Sequence, residues 1–159
     1  HPDKTLVLVG PINSKSYYEV GLDKLPNVVS TGPKKIQELP AYLKYMDVCL
    51  IPFLCNKLTE SIYPLKINEY LAAGRPVIST AFSDDIRTFR NVIYLADSQH
   101  EFLTLIDRAL EENNPAEIQE RLAVAQTNTW EARVQQFWTM VNNHLHQKEN
   151  KPYEKTATI

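Results

Sequence analysis

Lys66 and Glu69 stand three residues apart directly after a long loop, and this is the place where residue type and spacing could do chemistry. Pro64 and Gly74 bracket a short stretch in which Ile67, Tyr70, Leu71 and Ala73 repeat at helical spacing. The backbone of Ser61, Ile62, Tyr63, Pro64 and Leu65 would then enter a helix amino terminus, whose N–H groups can receive an anion such as a diphosphate. Lys66 in that first turn is disfavoured by the helix macrodipole unless a bound anion reverses the sign. Glu69, on the same face, can accept hydrogen bonds from two neighbouring hydroxyls, which suits a ribose. The same two residues also suit an i,i+3 surface ion pair worth roughly 0.2–0.5 kcal/mol. From the residues alone both readings stand.

Other constellations are less specific. Gly10 and Gly32 each follow an apolar run, where an open parallel sheet binds its ligand, although turn geometry alone accounts for either glycine. Ser83-Asp84-Asp85 suits a capped helix start better than a metal site. His144-x-His146 has no third ligand nearby and reads as a solvated helix end. Cys49 and Cys55 fit neither a zinc knuckle nor a redox pair. They read as reduced thiols, Cys49 inside a buried strand, and point to a cytosolic setting.

The elements that must position these residues follow from the pattern. Five β-rich runs, at Leu6–Val9, Val28–Thr31, Val48–Pro52, Val77–Thr80 and Val92–Leu95, alternate with amphipathic stretches. Strand–helix alternation implies a Rossmann-like α/β layer with a parallel sheet and flanking helices. One stretch has Ile36, Leu39, Leu43 and Met46 at helical spacing. After the last strand the chain turns helical. Ser98-x-x-Glu101 forms a capping box before Phe102, Leu105, Ile106, Ala109 and Leu110. Pro115 opens a helix expected to carry Ile118, Leu122 and Ala125 inward. Asn128-x-x-Glu131 is expected to cap a last helix with the stripe Trp130, Val134, Phe137, Trp138, Val141 and Leu145, which reads as core or interface packing. A single domain is expected over 1–147, with a frayed tail over 148–159.

Composition is ordinary for a globular chain. Of 159 residues, 43% are hydrophobic and 23% charged, which excludes fibrous and disordered classes. The net charge of −2 argues against nucleic-acid binding and a polybasic membrane patch. The longest apolar run, Val48 to Leu54, is far too short to span a bilayer. The opening His-Pro-Asp-Lys has no methionine and reads as part of a longer protein.

The stretch Glu69-Tyr70-Leu71-Ala72-Ala73-Gly74-Arg75-Pro76-Val77-Ile78 resembles the nucleotide-sugar signature of GT-B glycosyltransferases of the family-4-like group, "E-x-x-A-x-G-x-P-V". Leu6-Val7-Leu8-Val9-Gly10-Pro11 resembles the family's strand and glycine turn. Pro26-Asn27-Val28-Val29-Ser30-Thr31-Gly32 resembles its "N-V-x-x-x-G" strand. Leu39-Pro40-Ala41-Tyr42-Leu43 with Met46-Asp47-Val48-Cys49-Leu50-Ile51-Pro52 resembles a further run of it. Order and spacing agree from about Thr5 to Leu145. Pro64-Leu65-Lys66-Ile67-Asn68-Glu69 is similar to a bacterial polysaccharide subgroup with "P-x-K-x-x-E-Y-L-A-A-G".

The resemblance implies the carboxyl-terminal half of a GT-B fold, with a helical carboxyl-terminal extension, that binds a nucleoside-diphosphate sugar. Glu69 matches the second Glu of an "E-x7-E" motif that holds the donor ribose, and the loop Ser61–Leu65 matches the segment whose amides meet the diphosphate. Gly10 and Gly32 fall at the donor side of their strands, and Lys34-Lys35 borders the base pocket or a solvated helix start. The first Glu of the motif is replaced by Ser61, with Glu60 one residue away, which departs from the family's contact to the transferred sugar. The family's first donor-domain strand and its acceptor-binding domain have no counterpart here, and the last helix resembles the segment that crosses onto that domain.

Expected activity is therefore hexosyl transfer, with retention, to a saccharide or lipid-linked acceptor by the longer parent. Lys66 and the loop amides would stabilise the leaving diphosphate without a cofactor or metal. The parent is expected in the cytoplasm, peripheral to the inner membrane face. This chain alone is expected to be inactive, and either to fold its last helix back on its sheet or to self-associate. Alternatives are a non-catalytic GT-B-like binding module, or a related sugar-nucleotide enzyme such as an epimerase.

Overall fold

The structure, a computed structural model, describes residues 1–112 and 114–149, and the chain packs as two compact units, His1–Tyr45 and Met46 onward. The element order is β1 (Leu6–Leu8), α1 (Ser16–Glu19), β2 (Val28–Ser30), α2 (Leu39–Leu43), β3 (Cys49–Ile51), α3 (Lys66–Ala72), β4 (Val77–Thr80), α4 (Asp84–Arg87), β5 (Tyr94–Ala96), α5 (Gln99–Leu110), α6 (Pro115–Thr127) and α7 (Trp130–Glu149). Residues 148 and 149 of the expected tail end α7, and 150–159 lie outside the described residues.

The first unit is built on two parallel strands, with Leu6 opposite Val28 and Leu8 opposite Ser30. The amide side chain of Asn27 ties its entry by donating to the Lys4 carbonyl at 2.8 Å. The expected helix around Leu39 divides into a 3-10 turn, Ile36–Glu38, and α2. Ile36 is exposed, whereas Leu39 and Leu43 are half-buried. Pro40 sits in the first turn of α2, where its missing N–H costs nothing.

The second unit holds a parallel sheet in the order β3-β4-β5, with Leu50 opposite Ile78 and Ser79 opposite Leu95. The expected α/β architecture of parallel strands with flanking helices is present, as a two-stranded sheet in the first unit and a three-stranded sheet in the second. The fully buried side chains Ile51, Ile67, Leu71, Val77, Ile78 and Ile86 all belong to this unit. Ile67 and Leu71 sink α3 into that core, each contributing about 1.5–3 kcal/mol of apolar burial. Phe102 and Ala109 of α5 pack on Ile78 and Ala96, with Leu105 and Ile106 at the margin. Leu110 is exposed instead of joining them.

α3 ends as its sequence predicts. Gly74 has φ +68°, its N–H donates to the Leu71 carbonyl at 2.9 Å, and the Arg75 N–H reaches back to Tyr70 at 3.2 Å, a Schellman closure. A Cβ at Gly74 would lie 2.9 Å from Ile118 Cγ2, so the residue is required for close approach as well as for its backbone.

Three local expectations are corrected. β5 begins at Tyr94, because Val92 and Ile93 spend their amides on the Phe89 carbonyl in the preceding turn. α7 is capped by Thr129, whose hydroxyl accepts from the Ala132 N–H at 3.2 Å, because Asn128 turns back to the Val124 carbonyl. In α6, Ala125 is buried as expected, but Ile118 is 40% exposed and Leu122 only half-buried, while Arg121 takes the interior place at 2%. It can do so because Glu112 and the carbonyls of Gly74 and Val92 accept its hydrogen bonds.

The stripe of α7 is not core. Trp130 is 77% exposed, Phe137 57% and Trp138 54%, so this face does not fold back on the sheet.

Candidate functional site

The candidate site is built on the segment joining β3 to α3, which the sequence suggests is an open loop but which carries its own internal bonding. Asn56 Oδ1 accepts the amides of Leu58 and Thr59 at 2.9 and 3.0 Å. Thr59 Oγ1 in turn donates to the Leu54 carbonyl and accepts from the Asn56 amide at 3.1 Å. These bonds set up a short 3-10 turn, Thr59–Ser61. Asn and Thr favour such local side-chain to backbone bonds over solvent.

Both ends of the segment are held by hydroxyls from the turn after β4. Thr80 Oγ1 donates to the Phe53 carbonyl at 2.6 Å, and Ser83 Oγ donates to the Ile62 carbonyl at 3.2 Å. Ser83 is also the expected cap of α4, accepting the Ile86 amide at 3.3 Å. Neither long-range bond could be read from local sequence.

Ile62 and Tyr63 are half-buried, Pro64 is buried, and Ser61 and Leu65 are exposed. The Tyr63 phenol meets the Asn68 side-chain amide at 3.1 Å, which ties the loop to the first turn of α3. The Ile67 amide is taken by Pro64 at 2.9 Å and the Asn68 amide by Leu65 at 3.1 Å. No acceptor among the described residues takes the amides of Tyr63, Leu65 or Lys66.

Lys66 and Glu69 are both exposed on α3. No ion pair joins them among the described residues. The Lys66 ammonium lies over the Phe53 ring, 5.9 Å from its centre, and Phe53 is itself packed on Phe82 at 4.7 Å. The simple surface pair left open by the sequence is therefore not made. A cation on an aromatic face and a separate carboxylate remain available beside unfilled amides.

Between the loop and the start of α4 lies a groove of about 330 Å³, lined by Asn56, Lys57, Glu60, Phe82, Asp84 and Arg87, among others. Glu60 lines it and Ser61 does not. Arg87 is held there by its bond to the Ala81 carbonyl at 3.0 Å and by Asp97 at 3.7 Å.

In the first unit, Gly10 and Gly32 are brought together: the Gly10 amide donates to the Gly32 carbonyl at 3.1 Å just past the strands. Both have positive φ, and a Cβ on either would meet only open space, so it is backbone conformation that calls for glycine. Lys34 lies over the Tyr42 ring at 5.5 Å.

Neither cysteine is bonded to the other. Burial pushes the Cys49 thiol up to about 12, which leaves it an inert hydrophobe, while Cys55 is exposed. Burial, followed by the nearby Cys49 and Glu69, pushes the Tyr70 phenol to about 12. Among the described residues no three His, Cys, Asp or Glu stand together as a metal site, and no helix is long and apolar enough to cross a membrane.

Residues 1–112 match the family model described as Glycosyl transferases group 1. The chain is 30% identical over 152 residues to TuaH of Bacillus subtilis (strain 168), a protein named for a glycosyltransferase role in teichuronic acid biosynthesis, with 90% of this chain aligned. The solved structure of WaaG, a glycosyltransferase involved in lipopolysaccharide biosynthesis, matches 78% of this chain with a TM-score of 0.60 at 19% identity, a likeness of fold. The chain spans 38% of the length of the first protein and 34% of the second.

Proposed function

The chain belongs to the group 1 glycosyl transferases, and on that premise we propose that it is the part of a GT-B enzyme that seats a nucleoside-diphosphate sugar. The observation that carries this reading is the arrangement at α3: Lys66 and Glu69 are exposed and not paired with each other, beside amides without acceptors, at the end of a braced loop.

Each part has a task. The amides of Tyr63, Leu65 and Lys66, with the Lys66 ammonium, take the diphosphate and stabilise the charge that develops on it as the sugar leaves. Glu69 accepts from the two ribose hydroxyls and fixes the donor along the helix. Ser61 and Ile62 supply the approach of the loop, with Pro64 and Leu65 turning it into α3. Gly10 and Gly32, bridged just past β1 and β2 in the first unit, remain candidate donor-binding backbone there. The reaction is transfer of a hexose-type sugar, with retention, to a saccharide or lipid-linked acceptor bound by a further domain of the parent. No cofactor enters this account. The polysaccharide setting follows the names of the relatives, and a parent working at the inner membrane face suits a lipid-linked acceptor.

The substitution of the motif's first Glu by Ser61 favours a second reading, a binding module of the same fold without transfer. Incubating the full-length protein with sugar nucleotides and candidate acceptors separates the two. Acceptor-dependent release of nucleoside diphosphate supports transfer, binding without turnover supports the module, and a sugar nucleotide altered without transfer points to the epimerase class.

A further inference from the structure

We propose that Ser83 is a positioning residue for the donor loop, its hydroxyl orienting the Ile62–Tyr63 peptide so that the Tyr63 amide is presented to the diphosphate. The inference rests on the donor-site reading above. Ser83 is 3% exposed, and its single hydroxyl proton goes to the Ile62 carbonyl at 3.2 Å while a lone pair takes the Ile86 amide at 3.3 Å.

The consequence lies in the peptide plane. No described peptide bond is cis, so the Tyr63 N–H points opposite to the Ile62 carbonyl, and therefore away from Ser83. The Tyr63 ring is fixed at its far end by Asn68 and flanked by Phe89 at 6.2 Å, so the peptide cannot turn without moving a packed side chain. The amide so directed has no acceptor among the described residues, and the residue after it, Pro64, has no N–H to offer. A donor held in place before ligand arrives needs no reorganisation when charge appears on the diphosphate. Thr80 supports the other end of the loop through the Phe53 carbonyl, whose ring carries Lys66.

The capping role and the positioning role can be separated. Gly is tolerated at an N-cap almost as well as Ser, Ala is not, and Thr retains both acceptor and donor. The full-length protein and its Ser83→Gly, Ser83→Ala and Ser83→Thr variants are titrated calorimetrically with UDP, GDP and ADP, well below their melting temperatures. The expected result is about ten-fold weaker binding for both Gly and Ala, wild-type affinity for Thr, and a near-wild-type melting temperature for Gly. Wild-type affinity in Ser83→Gly, or a loss confined to the destabilised Ala variant, overturns the positioning role and leaves the donor reading intact. A wild-type protein that binds none of the three diphosphates overturns the donor reading and this inference with it.

Discussion

Arg121 grips Glu112 in the interior, its Nη2 lying 2.5 Å from each carboxylate oxygen, with the two side chains only 3% and 6% exposed. The same guanidinium donates to the Gly74 carbonyl at 3.2 Å, where α3 ends, and Tyr94 donates its phenol proton to Glu112 at 2.7 Å. One charged pair thus ties α6 to the end of the helix that carries Lys66 and Glu69. Replacing Arg121 with Met leaves the buried Glu112 carboxylate without its counter-charge, although Tyr94 still donates to it, and takes the guanidinium donor from the Gly74 and Val92 carbonyls. Arg121→Met is expected to cost about 3–5 kcal/mol in denaturant unfolding. Adding Glu112→Met should recover part of that loss, since the uncompensated charge goes with it.

The same pair sets the acid limb of stability. Burial alone would raise the Glu112 carboxyl, but the bonds from Arg121 and Tyr94 outweigh it and hold the group below its ordinary 4.5. Its contribution is therefore fully present above the unfolded value of about 4.5 and is lost as pH falls through the lowered folded value. Glu117, raised chiefly by its hydrogen bond with Glu112, acts in the opposite sense, and the two titrate as a pair. Unfolding free energy measured from pH 7 downward should fall below pH 4.5 in the wild type. The Glu112→Gln variant should start lower and fall less steeply; an identical slope would contradict the assignment.

The chain as described leaves the α7 face wet. Each of Trp130, Phe137 and Trp138 offers on the order of 150–250 Å² of surface, and more than half of each is exposed here. Because this face does not return to the sheet, the isolated chain is expected to self-associate through it. Light scattering over a concentration series should show rising mass with a blue shift of Trp fluorescence. A chain that stays monomeric with solvated tryptophans at every concentration would count against this.

The sequence made much of this fold legible, for identifiable reasons. β4 was readable to the residue because Val77, Ile78 and their neighbours are buried on both faces, and Gly74 marked the end of α3 because few residues accept its backbone. The Ser83 cap was local and therefore visible. Arg121 was not, since an arginine on a helix reads as surface and its partners lie far along the chain. The site was legible as a set of candidates, Lys66 and Glu69 above all. What holds them was hidden, because a hydroxyl such as Thr80 or Ser83 does not announce which distant carbonyl it will choose. Glu60 could be seen as displaced from the expected position, but only the structure puts it on the groove beside the loop.

The central claim, that α3 and its loop seat a nucleoside diphosphate, is tested most directly by calorimetric titration of the full-length protein with nucleoside diphosphates and their sugars. Wild type should bind at least one of them. Glu69→Gln should weaken that binding by about 1–3 kcal/mol through a mismatched ribose pair, and Lys66→Ala by a similar amount through the lost charge on the diphosphate. No heat with any nucleoside diphosphate, or full affinity retained in both variants, would contradict it.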